Sequence, residues 1–285
     1  MSSASTSSHS SPIVRRHGWT TRLWHWINAL CLLVLLMSGL QIFNAHPALY
    51  WGNDSNFESP FLSIGAERGP DGQPGGYLQI EGLRIPTTGV LGWSSADGQM
   101  QVRAFPAWAT LPSSQWLSLG RQWHFTAAWV FGVLLVGYLI YSLASRGRRR
   151  LIAPHTHEFK QFGQTAREHL MFRFPRHREY NIIQKLTYLG VLFVLLPLMV
   201  LTGLTMSPTI DAAWPWLLDL FGGRQSARSL HFISAFLLVG FFLIHLALVL
   251  VSGVFNNMRA ITTGGYRVDA PDTHKPTTER STHDE

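Results

Sequence analysis

The sequence predicts an all-α fold: an integral membrane four-helix bundle with a long periplasmic loop between its first and second helices. Three observations point there. Hydrophobic side chains make up 46% of the 285 residues and charged ones only 14%, and the mean hydropathy is +0.10, too apolar for an ordinary soluble domain. Four stretches, 23–43, 123–143, 186–206 and 229–255, carry no acidic or basic side chain, and each has the roughly twenty residues a helix needs to cross a ~30 Å hydrocarbon core. Isolated segments in lipid must satisfy every backbone N–H and C=O internally, which leaves helices as the only form.

In chain order, residues 1–14 are Ser-rich and lack an apolar signal-peptide region, so a disordered tail is expected before a retained helix. The bundle domain spans 15–257, with helices at about 20–43, 121–145, 183–206 and 228–255. Pro197 is the one irregularity within them. Residues 44–120 form the periplasmic loop, 146–182 a cytoplasmic loop, and 258–285 a disordered tail. In the long loop, YLQIEGLRIPTTGVLGWSSADGQMQVRAF alternates apolar and polar residues around Gly-containing turns, which predicts one or two short hairpins.

Basic residues orient the chain. Arg15, Arg16 and Arg22 precede the first span, and RGRRR at 146–150 follows the second, whereas the connection 44–122 sets four arginines against six acidic residues. The positive-inside rule places both termini in the cytoplasm of an inner-membrane protein. The net charge of +7 is then accounted for by inner-face arginines meeting anionic lipid, with no nucleic-acid partner required. Cys31, the single cysteine, lies inside the first span, so there is no disulfide framework and no C-x-x-C-H site. Any haem must be b-type.

Ionisable groups in lipid are costly and mark function. The four spans hold His25, His124, His231 and His245. His231 and His245 are fourteen residues apart, which on a helix is about 21 Å of rise and about forty degrees short of four turns. They share a face at opposite depths. The side from which each span starts then matches His124 to the depth of His231 and His25 to that of His245. Two imidazoles at equal depth on facing helices are the axial set of a low-spin haem, so two pairs predict two haem b groups stacked through the bilayer, with all four histidines as iron ligands.

His17, outside the apolar run, and His46, followed by Pro47, are the rival ligands. Arg22 and Arg121 precede His25 and His124 by one turn and are placed to meet haem propionates, or equally lipid phosphate. Gly39, Gly132, Gly137, Gly203 and Gly240 could make room for a porphyrin, or simply for close helix packing.

The motifs TTRLWHW, GRQWHF, REYNIIQKLTY and SLHF with a second histidine fourteen residues on resemble the dihaem cytochrome b subunits of formate dehydrogenases and nickel-iron hydrogenases, within the bacterial cytochrome b561 superfamily. The likeness covers residues 15–257, and HPALYWG with the long loop is similar to the thiosulfate-reductase-type members. The resemblance implies the same four histidine ligands and a quinone site, for ubiquinone or menaquinone, at Asn181, Gln184, Tyr180 and Lys185. It also implies a periplasmic redox subunit of molybdopterin-oxidoreductase or hydrogenase type; the long loop itself is either a docking surface for that subunit or a self-contained lid over the outer haem. An Asn/Gln pair at a helix start can equally be a cap.

The function expected is electron transfer between that subunit and the membrane quinone pool. One alternative is a free-standing quinone oxidoreductase fed by a small diffusible donor. The other is a metal or proton transporter, which predicts carboxylates beside the histidines; the spans have none.

Overall fold

The computed structural model describes residues 12–70, 72–145, 153–160, 162–171 and 181–268. Four helices are long and apolar enough to cross a membrane: Trp19–Asn44, Leu117–Ala144, Ile182–Thr205 and Arg224–Val251. They start and end within a few residues of the expected bounds. Side chains such as Leu30, Val133, Val194 and Ile244 are well exposed along them, as an outward, lipid-directed surface requires. The first span packs mainly on the second and the third on the fourth. One core lies between the first three, where Cys31, Phe131, Leu135, Tyr138, Leu192 and Leu196 meet and Trp24 stacks on Tyr138 at 3.9 Å.

The third span is not a uniform α-helix. Residues Gly190–Leu195 form a π-helical segment just before Pro197. Proline cannot donate to the carbonyl four residues back, and a wider local turn is one way to absorb the missing bond.

The all-α expectation needs correcting to a mostly helical fold with strands outside the spans. Four strands, β2 (Ala48–Leu49), β3 (Leu62–Arg68), β4 (Pro74–Ile80) and β5 (Leu83–Pro86), form an antiparallel sheet in that order. A separate hairpin joins β6 (Gly92–Ala96) to β7 (Gln99–Arg103). Two-residue turns close the β4–β5 and β6–β7 hairpins, Glu81-Gly82 and Asp97-Gly98, all four residues at positive φ, the conformation whose twist suits paired strands. Outside the bilayer a loop can pair its backbone between strands, and this one carries the alternating pattern that does so.

These strands form a lid over one end of the bundle. Phe43, Leu49, Ile64, Ala104 and Phe105 make its core, with Phe232 of the fourth span packed against them. Buried Arg103 holds the lid's return, donating to the Phe105 and Ser113 carbonyls and to Thr110 Oγ1. The lid is tied to the fourth span by Arg228, which donates to the His46 and Ala48 carbonyls, by Ser229 Oγ to the Tyr50 carbonyl at 2.6 Å, and by Gly52 N–H to Ser226 Oγ at 2.8 Å. We call this end the loop face.

At the opposite, terminal face the two ends of the described chain meet. Strand β1 (Ile13–Arg15) pairs with β8 (Gly265–Arg267), and Arg16 lies over the Tyr266 ring at 4.3 Å. Between the fourth span and β8, a surface helix runs Val254–Thr262. Gly253, at φ 110°, redirects the chain into it, a conformation open to glycine at little cost. Residues 12–14 and 258–268, expected to lie in disordered tails, are thus paired or helical, because each supplies backbone partners that the other lacks.

Candidate functional site: a cavity through the bundle with four histidines

A cavity of about 3110 Å³ runs from the lid to the terminal face, and His25, His124, His231 and His245 all border it. That is several times the volume of a pocket for one drug-sized ligand, about 300–1,000 Å³. All four histidines therefore open into one space.

The loop-face pair is closely defined. The His124 and His231 rings stand 6.3 Å apart, centre to centre. His124 Nδ1 lies 3.1 Å from Ser38 Oγ and 3.2 Å from the Leu35 carbonyl. A carbonyl can only accept, so Nδ1 carries the proton. Ser38 spends its own proton on the Val34 carbonyl at 2.6 Å, leaving a lone pair for the imidazole.

His231 repeats the arrangement on the other helix pair. Its Nδ1 is 3.0 Å from Thr202 Oγ1, which donates to the Leu198 carbonyl at 2.7 Å, and it also bonds to the Met199 backbone. Both imidazoles are thereby Nδ1–H tautomers with an Nε2 lone pair to offer. Glycines seat them: a Cβ on Gly39 would come within 3.3 Å of the His124 ring, and one on Gly203 within 3.3 Å of the His231 ring. For Gly132, Gly137 and Gly240 nothing lies within 4 Å of that position, so only two of the five glycines make close room for a histidine.

The terminal-face pair is looser. His25 and His245 are near enough to interact electrostatically. His25 Nδ1 is buried with no hydrogen-bond partner among the described residues, and His245 stacks on Phe241 at 5.8 Å. Asn28, one turn beyond His25 and also buried, donates to the Trp24 carbonyl at 2.8 Å, and its amide oxygen has no partner among the described residues.

The rival histidines lie off the helices. His17 precedes the first span, with its backbone N–H aimed at the Gly264 carbonyl. His46 follows that span, packed near Tyr50 and Phe57, with its Nε2 buried and without a partner among the described residues. Burial, and then the neighbouring Arg228 charge, hold the His46 pKa below the ordinary imidazole value, so it is neutral at pH 7.

Arg22 donates to the Thr262 carbonyl, and Arg121 lies exposed with its guanidinium 5.5 Å from the Phe125 ring centre. Of the expected quinone residues, Tyr180 lies outside the described residues. Asn181 and Gln184 form a capping box: Asn181 Oδ1 accepts from the Gln184 N–H at 2.9 Å, and Gln184 Oε1 from the Asn181 N–H at 3.3 Å. Lys185, only 1% exposed, is paired with Glu158 at 2.6 Å. Three side chains that the sequence did not single out thus matter here: Ser38, Thr202 and Glu158. The first two were legible only as small polar residues beside a glycine, and Glu158 as one carboxylate in a basic loop.

Comparison with known proteins decides the family. Residues 16–264 match the profile of the prokaryotic cytochrome b561 family. The chain belongs to that family. This cytochrome b561 is therefore a membrane haem protein of electron transfer, and the family binds haem b. It is 25% identical over 238 residues to the putative protein-methionine-sulfoxide reductase subunit YedZ1 of Azospira oryzae, covering 80% of this chain and 86% of that protein. No solved structure matches it significantly.

The residues present fit a haem. Two metal–nitrogen bonds of about 2 Å, each extended by about 1 Å from ring nitrogen to ring centre, span roughly 6 Å, the separation of the His124 and His231 rings. Their Nδ1–H tautomers offer the Nε2 lone pair that axial ligation requires.

Proposed function

We propose that this cytochrome b561 is the dihaem membrane subunit of a bacterial inner-membrane oxidoreductase. It would carry electrons between a periplasmic redox subunit and the membrane quinone pool. His124 and His231 would hold one haem b at the loop face, and His25 and His245 a second at the terminal face. The observation that carries this reading is the pair of imidazoles at each end of one continuous cavity. Haem b bound there supplies reversible one-electron transfer.

The chain's own residues do the rest. Ser38 and Thr202 orient the loop-face ligands, the lid and its phenylalanines exclude water from that end, and Arg228 fastens the lid. Arg22 and Arg121 are the candidates for propionate contacts. The loop face would be periplasmic and the terminal face cytoplasmic, because the arginines cluster beside the latter.

Quinone would bind at the terminal-face mouth of the cavity, where Asn181, Gln184 and Glu158 line the opening, with Lys185 and Tyr180 adjoining in sequence. The capping box occupies one face of each amide and leaves the Asn181 and Gln184 amide N–H groups to meet a carbonyl. The partner would be a periplasmic redox subunit of molybdopterin-oxidoreductase or hydrogenase type seated on the lid; a relative named as a reductase subunit supports a redox partner in general.

The test is the absorption spectrum of the purified protein, oxidised and reduced, with haem quantified per chain. Two haems and sharp low-spin b-type bands are expected. One haem or fewer, or high-spin bands, would overturn the dihaem reading.

A further inference from the structure

The two histidine pairs differ in one respect that bears on redox chemistry. At the loop face each imidazole donates its Nδ1 proton to a fully buried hydroxyl already committed as a donor elsewhere: Ser38 to Val34, Thr202 to Leu198. Each also meets a backbone carbonyl three residues before that hydroxyl, Leu35 or Met199.

The first and third spans carry this as the same three-residue unit, Ser38-Gly39-Leu40 and Thr202-Gly203-Leu204. The hydroxyl accepts the imidazole proton and the glycine gives the ring its seat. Two copies on different helices, each serving the histidine of the adjoining span, make a built feature of this end. At the terminal face His25 Nδ1 is buried without a partner among the described residues, and His245 meets an aromatic ring.

Hydrogen bonds that draw on the Nδ1 proton make the opposite nitrogen a stronger donor. A stronger donor favours the oxidised, more positive iron and lowers its reduction potential. Fixed positive charge lies at both ends, Arg228 against the lid and Arg16 and Arg22 at the clasp, and its greater weight at the terminal face would raise that site's potential, the same order that the hydroxyls give.

We propose that Ser38 and Thr202 are positioning residues that set the loop-face haem as the lower-potential member of the pair. This rests on the dihaem reading above. The two hydroxyls act through His124 and His231 and touch neither quinone nor partner. The lower-potential site is then the one beneath the lid, and the higher-potential site the one at the quinone mouth.

A redox titration of the purified full-length protein, followed in the haem absorbance and paired with haem quantification, tests this. The His245→Ala variant, with the loop-face site intact, assigns the components: the lower midpoint should survive in it. Ser38→Ala and Thr202→Val should each raise the lower midpoint by about tenfold in the reduction equilibrium constant, about 59 mV for a one-electron couple. The higher midpoint should not move, and Thr202→Ser should restore the original value.

Two haems per chain with an unmoved lower midpoint in both variants would overturn the proposal while leaving the dihaem reading intact. So would survival of the higher midpoint in His245→Ala. Fewer than two haems in the unaltered protein would instead overturn the reading beneath it. If Ser38→Ala does not retain haem, Thr202→Val and Thr202→Ser alone decide the outcome.

Discussion

The two ends of this bundle are built differently. The loop face is closed: a β-sheet lid covers it, Phe43, Phe105, Phe232 and Phe236 pack beneath the lid, and both histidines have their Nδ1 protons assigned. The terminal face is tied by a two-stranded clasp of residues 13–15 with 265–267 and by a buried ion pair, and His25 Nδ1 has no such support among the described residues. Closure costs ligand exchange but holds geometry, whereas a looser end admits an exchangeable molecule. A fixed relay at one end and a substrate mouth at the other is the division of labour that this contrast suggests.

Removing a ligand breaks the comparison most completely. His231→Ala is expected to lower haem from two per chain to one, with the terminal-face haem retained, measured as haem per protein after purification. His25→Ala should remove the other one. Loss of the same spectral component in both variants would mean that the pairs are wrongly matched.

Gly203→Val comes next, since a side chain there must displace the His231 ring, already in tight contact at the Cβ position. The expected outcome is a disturbed or lost loop-face haem, visible as broadened low-spin bands, with the terminal-face component unchanged. Gly240→Ala, at a position with open space around it, is the control and should leave both components alone.

The ion pair tests the terminal face. Glu158→Gln leaves Lys185 buried without its counter-charge, at a cost of about 3 kcal/mol, read as a lowered melting temperature in detergent. Burial opposes ionisation of Glu158, but the Lys185 hydrogen bond, the His155 N–H and the charges of both hold its pKa below the usual carboxylate value. A depressed pKa contributes stability above the unfolded-state value, and that contribution is lost as pH falls through the folded one. The unaltered terminal face should therefore be insensitive to this group from about pH 5 upward and weaken only in stronger acid. A melting temperature that falls between pH 8 and 6 in the unaltered protein, but not in Glu158→Gln, would contradict this.

The smallest effect is expected from Asn181→Ala. Loss of a helix cap costs about 1 kcal/mol. If quinol-driven haem reduction falls far more than that modest loss of stability explains, Asn181 also serves the quinone; if activity is kept, its role is the cap alone.

Much of this was legible in sequence because it depends on short-range pattern. The spans follow from length and apolarity, and their ends were placed within a few residues. The two hairpin turns follow from Glu-Gly and Asp-Gly between alternating segments. The histidine pairing follows from helical rise and chain direction. What escaped was what lies between elements: the clasp joins residues some 250 positions apart, and β2 to β5 form one sheet only because the lid closes over the first and fourth spans.

The spans, the spacing of the histidines along them and the lack of a C-x-x-C-H site were determined by the sequence alone, since each depends on residue spacing and residue type along the chain. Which proton each loop-face imidazole carries was decided only in three dimensions. Ser38 meets His124 across 86 residues and Thr202 meets His231 across 29, and hydrogen-bond direction depends on the partner's geometry, not on its distance along the chain. The same holds for Lys185: its charge was readable, but the Glu158 ion pair that engages it, across 27 residues, exists only once the helices are packed, whereas the Asn181–Gln184 capping box is local and was among the sequence's own readings.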